Sequence, residues 1–294
     1  GDVPIGETVN QLSAGQSHVC ALLSTGNMRC WGYGGSGQLG YGNASNVGDG
    51  GTSIIAAGDI PVGGTITQIA AGGQHNCALL DTGAVRCWGE GASGRLGYGN
   101  TDIVGAGGTS IVTAGDIPVG GTVTQISAGS FHTCALLSTG NVRCWGTGSS
   151  GQLGHDSTAN IGDGVGDSII TAGDISVGGT VTQISAGGFH TCALLTTGAV
   201  RCWGLGSSGE LGNLATTNIG DDGTPTIVGQ GDLAIGETVT KLSAGIAYNC
   251  AYLSTGNVRC WGSGSLGVLG HGSTVNIGDG AGLSITAAGD VPIL

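Results

Sequence analysis

Positive charge is scarce in this sequence: 294 residues carry seven Lys plus Arg against nineteen Asp plus Glu, for a net charge of −12. Binding to bare nucleic acid or to an anionic bilayer draws on clustered cations, so neither is expected as a partner. Charge of either sign is low, at 9% of residues, and aromatic residues make up only 4%. No apolar run approaches the roughly 20 residues of a membrane-spanning helix, so no membrane insertion is expected. A helical period of useful length is missing as well. What remains is 39% hydrophobic and carries 65 glycines. Hydrophobicity of that order with so little charge argues against disorder, which leaves the glycines to be explained as turns.

The sequence repeats itself. Aligning GTVTQISAG with its relatives divides the chain into units at 7–63, 64–120, 121–178, 179–236 and 237–294, of 57 or 58 residues each. Trp31, Trp88, Trp145, Trp203 and Trp261 fall at the same phase of successive units. Within a unit, TVTQISAG alternates as a strand does, and HTCALL and NVRCWG flank a tight turn as a hairpin. A Gly-rich stretch follows, and SIVTAGDIPVG then supplies a fourth, broken strand. Pro61, Pro118 and Pro292 place that strand at an edge, where a missing N–H is tolerated. Four short strands per unit, repeated, predict an all-β protein, a β-propeller of four-stranded blades, with residues 1–294 as one repeat domain.

The motif AGxxHxCALLxTGxVRCWGxGxxGxLG resembles the repeat of the regulator-of-chromosome-condensation family of β-propellers, and it recurs across all five units. The resemblance implies a propeller of four-stranded blades, commonly seven. Five units depart from that number and leave two architectures open, a closed five-bladed ring or part of a larger propeller. Residues 1–6, GDVPIG, duplicate the end of a unit, as in GDIPVG at 58–63. A cut through a longer array accounts for this duplication, and so does a spare N-terminal strand on a compact ring.

All ten cysteines fall in pairs ten residues apart: Cys20/Cys30, Cys77/Cys87, Cys134/Cys144, Cys192/Cys202 and Cys250/Cys260. The intervening Leu-Ser-Thr-Gly-Asn suits a three-residue hairpin loop, a type I turn followed by Gly in the left-handed region. Counting outward from the closing pair Leu137 and Asn141, Leu136 faces Val142, Ala135 faces Arg143 and Cys134 faces Cys144. Opposed Cα atoms in a non-hydrogen-bonded pair lie about 4.5 Å apart, within reach of a disulfide. Free thiols and a metal are the alternatives, but ten-residue spacing forms no zinc knuckle and no CxxC redox motif is present. Five bridges are ordinary outside the cell and unusual in a reducing cytosol, which predicts a secreted or cell-surface location.

Other recurring residues invite chemistry. His18, His75, His132 and His190, with Tyr248 in the fifth unit, could form a ring of ligands. The family resemblance instead implies a structural His bonded to backbone, which the Tyr replacement suits. Arg29, Arg86, Arg143, Arg201 and Arg259 share a strand face with the tryptophans. They could grip a partner's carboxylate or pair with acids of their own or the next blade. The tryptophans are expected to pack between blades or, if exposed, to form a sugar platform. The Gly-rich loops hold Asp49, Asp163, Asp167, Asp221, Asp222 and Asp279. Asp163, Asp167, Asp221 and Asp222 are candidate calcium ligands. Asx-turns in solvated loops account for the same pattern, and the spacing matches neither an EF-hand nor the calcium-binding nonapeptide repeat.

No Ser/His/Asp constellation, phosphate loop or paired carboxylate stands apart from the repeat, so no catalytic site and no cofactor are expected. The resemblance implies nucleotide exchange on a small GTPase, ultraviolet sensing or enzyme inhibition among its functions. The cysteines oppose the first, and one Trp per unit opposes the second. The expected function is a non-catalytic extracellular binding or structural scaffold acting through protein contacts, one form of which is a subunit of a surface assembly. A carbohydrate-binding, lectin-like propeller or a secreted enzyme inhibitor is the alternative. Loops 147–168 and 205–226, where the units differ most, are the expected contact regions.

Overall fold

The computed structural model describes residues 2–164, 168–221 and 225–292. The protein is all-β in its regular structure apart from short helical turns, with one three-stranded sheet in each of the five repeats. The sheets are β1 Val9–Ala14, β2 His18–Leu23 and β3 Met28–Gly32; β4 Ile66–Ala71, β5 His75–Leu80 and β6 Val85–Gly89; β7 Val123–Ala128, β8 His132–Leu137 and β9 Val142–Gly146; β10 Val181–Ala186, β11 His190–Leu195 and β12 Val200–Gly204; β13 Val239–Ala244, β14 Tyr248–Leu253 and β15 Val258–Gly262. Strands pair antiparallel in chain order, with a register shift near the start of each first strand, as between Ile66 and Gln68.

The second and third strands form the expected hairpin. Leu23 N donates to Asn27 O at 2.8 Å and Gly26 N to Leu23 O at 3.0 Å, with Gly26 at φ 81°. That positive φ is the left-handed position of the turn, and it sets the register outward. Cys20 then faces Cys30, Cys77 faces Cys87, Cys192 faces Cys202 and Cys250 faces Cys260.

The fourth strand is not formed, and the blades have three strands rather than four. SIVTAG makes a one-turn helix instead: α1 Ile54–Ala57, α2 Ile111–Ala114, α3 Ile169–Ala172, α4 Ile227–Gln230 and α5 Ile285–Ala288. Each starts at a Ser or Thr whose side chain accepts the N–H three residues on, as Ser110 does from Thr113 N at 3.1 Å. Capping of this kind outweighs the β-branched character of the segment. The following GDIPVG attaches to the sheet edge by Ile117 N to Val85 O, 2.8 Å, and then folds on itself through Val119 N to Ile117 O, 2.8 Å. Pro118 has no N–H to extend a ladder.

Contacts divide the chain into two compact units. One comprises Gly1–Ser138, Trp145–Thr147 and Asn160–Gly173, and the other Thr139–Cys144, Gly148–Ala159 and Asp174–Leu294. In the first unit, β4 abuts β1 and β7 abuts β4. Gln11 clamps the backbone of Ile69 both ways, donating from Nε2 to its O at 2.8 Å and accepting its N–H at 3.0 Å. Gln68 clamps Ile126 in the same manner, at 3.0 and 2.9 Å. In the second unit, Gln183 clamps Leu242 at 2.8 and 2.9 Å. Every residue of β5, β8 and β11 is buried, including the polar ones.

Candidate binding surfaces

The cysteines are all oxidised. Bridges link Cys20–Cys30, Cys77–Cys87, Cys192–Cys202 and Cys250–Cys260 with Cα atoms 4.1 Å apart, and Cys134 and Cys144 are disulfide-bonded as well. No described cysteine is free. Placed across adjacent strands in the buried heart of a blade, the bridges are staples.

The histidines do not converge on a ligand. The imidazoles of His18, His75 and His190 lie against the glycine of their Ala-Gly motifs: a Cβ on Gly72 would sit 2.2 Å from His75 Cε1. The ring then reaches the next blade. His75 Nε2 donates to Thr133 Oγ1 at 2.9 Å, and that hydroxyl donates to Arg95 O at 3.1 Å. His18 donates to Asn76 Oδ1 at 3.2 Å and His190 to Asn249 Oδ1 at 2.9 Å, while the two amides donate to Gln38 O and Glu210 O. Because each middle group gives its proton to a carbonyl, it must accept from Nε2–H, which fixes the neutral tautomer. Burial depresses the imidazoles, His75 well below the ordinary range and His190 to about 4. The partner is thus a side chain of the neighbouring blade, with backbone reached only at the second step.

The same carbonyls receive the tryptophans. Trp88 Nε1 donates to Gln38 O, Trp145 to Arg95 O, Trp203 to Gln152 O and Trp261 to Glu210 O, each at 3.0 Å. These four indoles are fully buried between blades, whereas Trp31 is half-buried. The arginines pair internally: Arg29, Arg86, Arg143, Arg201 and Arg259 meet Asp59, Asp116, Asp174, Asp232 and Asp290 through Nε at 2.6–2.7 Å. Arg86 also donates to Val62 O and Arg201 to Val177 O, both at 2.7 Å, tying each blade to the end of the preceding repeat. Arg29 does the same to Ile5 O, so residues 2–6 serve the first blade as residues 58–63 serve the second.

Of the calcium candidates, Asp167 and Asp222 lie outside the described residues. Asp163 accepts from Asn160 Nδ2 at 2.9 Å, and Asp49 likewise holds Asn46 Nδ2 at 3.1 Å and Gly51 N at 3.3 Å. Among the described residues no group of three or more His, Cys, Asp or Glu could hold a metal. The contact loops are described at 147–164 and 205–221, and Leu214 there is exposed at positive φ.

Sequence reasoning missed two features. Tyr41 and Tyr98 brace the stapled strand, each hydroxyl donating to a cysteine carbonyl at 3.1 Å, and burial pushes Tyr98 up to about 12. The variable residue of Gly-x-Leu-Gly was passed over too. Gln38, Arg95, Gln152 and Glu210 are buried there, Arg95 stacking 5.2 Å over the Phe131 ring, but Val268 is not. The signal was that this position alone varies in charge inside an otherwise constant motif.

Comparison with known proteins accords with this geometry. The Regulator of chromosome condensation (RCC1) repeat matches at residues 9–38, 66–95, 123–152 and 181–210. Human "Probable E3 ubiquitin-protein ligase HERC3" is 33% identical over 72% of this chain and 19% of its own length. The "Ultraviolet-B receptor UVR8" of Arabidopsis thaliana is 30% identical over 92% of this chain and 57% of its own. The chain therefore spans about a fifth to just over half of these relatives. Among solved structures, human WBSCR16 superposes with a TM-score of 0.67 at 23% identity, covering 92% of this chain and 66% of the other. Yeast RCC1 (Prp20), from its complex with Kap60, gives 0.65 at 23% identity, covering 92% and 60%. The fold is thus propeller-like, with five three-stranded blades, and the chain carries RCC1 repeats.

Proposed function

We propose that this chain is a non-catalytic, protein-binding scaffold that works in an oxidising, extracellular or cell-surface setting, with residues 1–294 acting as one repeat domain. The observation that carries this reading is the use made of the chemically capable residues. The Cys and Arg of every repeat, and His or Trp wherever a neighbouring blade is present to receive them, hold strands or blades together, with neutral imidazoles and paired guanidiniums. With these groups engaged internally, what the surface offers is shape, loops and a net negative charge. Yeast RCC1 (Prp20), which shares this fold, is bound by Kap60 in its crystal structure, in keeping with recognition through protein contacts.

Burial of Trp88, Trp145, Trp203 and Trp261 removes support from the carbohydrate reading, because a stacking platform must be exposed. A role as a subunit of a surface assembly accords with the low charge and the repeated, stapled architecture. Brief protease treatment of intact producing cells is expected to release or degrade the chain, and alkylation of the unreduced, unfolded protein to label no thiol. Ten labelled thiols together with protection inside intact cells would overturn the extracellular reading.

A further inference from the structure

The second repeat combines two substitutions at one turn. Its hairpin carries Asp81 where the other repeats have Ser24, Ser138, Thr196 and Ser254. It also carries Ala84 where the first, third and fifth repeats have Asn27, Asn141 and Asn257. Each of those asparagines donates from Nδ2 to the outer oxygen of the Asp that its Arg holds. Asn27 reaches Asp59 Oδ2 at 2.9 Å, and Asn141 and Asn257 reach Asp174 and Asp290 at 2.6 Å.

Ala84 cannot make that bond. Arg86 Nε holds Asp116 Oδ1 at 2.6 Å, and no hydrogen bond reaches Asp116 Oδ2 among the described residues. Exposure follows the asparagine. The Asp116 side chain is 51% exposed, as is that of Asp232 in the fourth repeat, where Ala199 stands at the same place. The three acids that an asparagine covers are 32–36% exposed.

A groove lies beside the uncovered carboxylate. The chain is pinned to the hairpin at two points, by Ile117 N to Val85 O at 2.8 Å and by Val123 N to Gly83 O at 3.1 Å. Between these pins Pro118 has no N–H to extend a ladder. There a groove of about 380 Å³ opens between the turn and residues 117–123. Its floor is apolar, made of buried Val85, Ile117, Val119 and Val123. Ala84 is part of its wall, and Asp81 directly precedes Thr82 of the lining. An Asn in the place of Ala84 reaches the carboxylate in three other repeats, so Asp116 Oδ2 lies within one side chain's reach of that wall.

We propose that this groove takes a lysine side chain of a protein partner, its stem over the apolar floor and its ammonium on Asp116 Oδ2. This rests on the reading of the chain as a protein-binding scaffold and names the chemistry of what it binds. Charge selects a cation. Asp81 and Asp116 against Arg86 leave one net negative charge at this turn, which an ammonium neutralises. Geometry selects lysine over arginine. Oδ1 is already taken by Arg86, so a guanidinium fork would meet a single oxygen, whereas an ammonium acts as a point charge and needs only one. Lysine stems lie along apolar surface while the head stays wet. The fourth repeat shares the open carboxylate but has Thr196 at the turn, so its Arg201–Asp232 pair is already neutral.

The test titrates the full, oxidised, isotope-labelled chain with Nα-acetyl-lysine N-methylamide and, separately, with the norleucine analogue, which keeps the stem and lacks the charge. Saturable NMR shifts are expected at the backbone amides of residues 82–85 and 119–123 with the lysine probe alone, weakening as salt rises. Ala84→Asn should weaken binding about fivefold, by filling the wall and occupying Oδ2, and Asp81→Ser should weaken it less. Both variants install a residue that other repeats already carry at this place, so the thermal transition should hold. Four results would overturn the proposal: no saturable shift in these residues, equal binding of the norleucine probe, unchanged binding in Ala84→Asn, or an equal response at residues 197–200 of the fourth repeat. None of these touches the broader scaffold reading, which fails separately if the protein proves intracellular and reduced.

Discussion

The second and fifth repeats carry the same hairpin, yet they bury it differently. All six residues of His75–Leu80 are buried, whereas Tyr248–Leu253 alternates, with Tyr252 46% exposed where Leu79 is 5% exposed. The strands themselves are alike in length, register and disulfide. The difference comes from the neighbour: β5 has a following blade to receive His75, and Tyr248 sits where no such hydrogen bond is made. Burial in this fold is therefore a property of pairs of repeats rather than of a strand's own sequence.

Substitutions can break that comparison. The largest effect is expected at an indole between blades. Trp145→Ala should cost about 3–5 kcal/mol by chemical denaturation, through lost packing and an orphaned Arg95 carbonyl, while Trp31→Ala should cost well under half of that. Next comes reduction of the staples. Opening Cys77–Cys87 as a double Ala variant should lower stability by about 3 kcal/mol, read as a fall in the thermal midpoint, since each bridge closes a short loop in the unfolded chain.

Acidification acts through the histidines. The unfolded chain takes up a proton near pH 6.5, but folded His190 resists it until about pH 4. Stability is therefore fully present above about pH 6.5 and is lost as pH falls through that window, by about 3 kcal/mol for this residue. Denaturation midpoints at pH 7 and pH 4.5 should show the loss, and His190→Gln should reduce the slope.

A smaller change is expected from Thr133→Val, about 1–2 kcal/mol, because the His75 N–H and the Arg95 carbonyl lose their intermediary. The reverse change, Val19→Thr, should be near neutral, since no histidine reaches that position. A smaller loss than that of Thr133→Val is expected from Asp116→Ala. That ion pair is half open to water and is worth at most about 1 kcal/mol, falling with salt.

Much of this was legible in the sequence. The hairpin register followed from Gly26 and its equivalents, because a turn that demands one left-handed residue also fixes which cysteines oppose. The fourth strand was misread because Ile111 and Val112 suggest a strand, while Ser110 caps a helix over a span too short for periodicity to decide. The His partners were not legible at all. Thr133 and Asn249 look like ordinary strand residues until the fold places them beside the His of the preceding repeat. Val19, Tyr248 and Val268 likewise read as noise in an alignment of repeats, although each stands where other repeats place a residue against a neighbouring blade.

The side-chain links described between repeats, such as Gln11 to Ile69 and His190 to Asn249, span 58 and 59 residues. A chain wired only to its nearest repeats need not find distant partners before it gains stability. Folding can begin at any adjacent pair of blades and spread outward, and its rate should depend little on how many repeats follow. Unfolding should run the same way, from one adjacent pair of blades to the next.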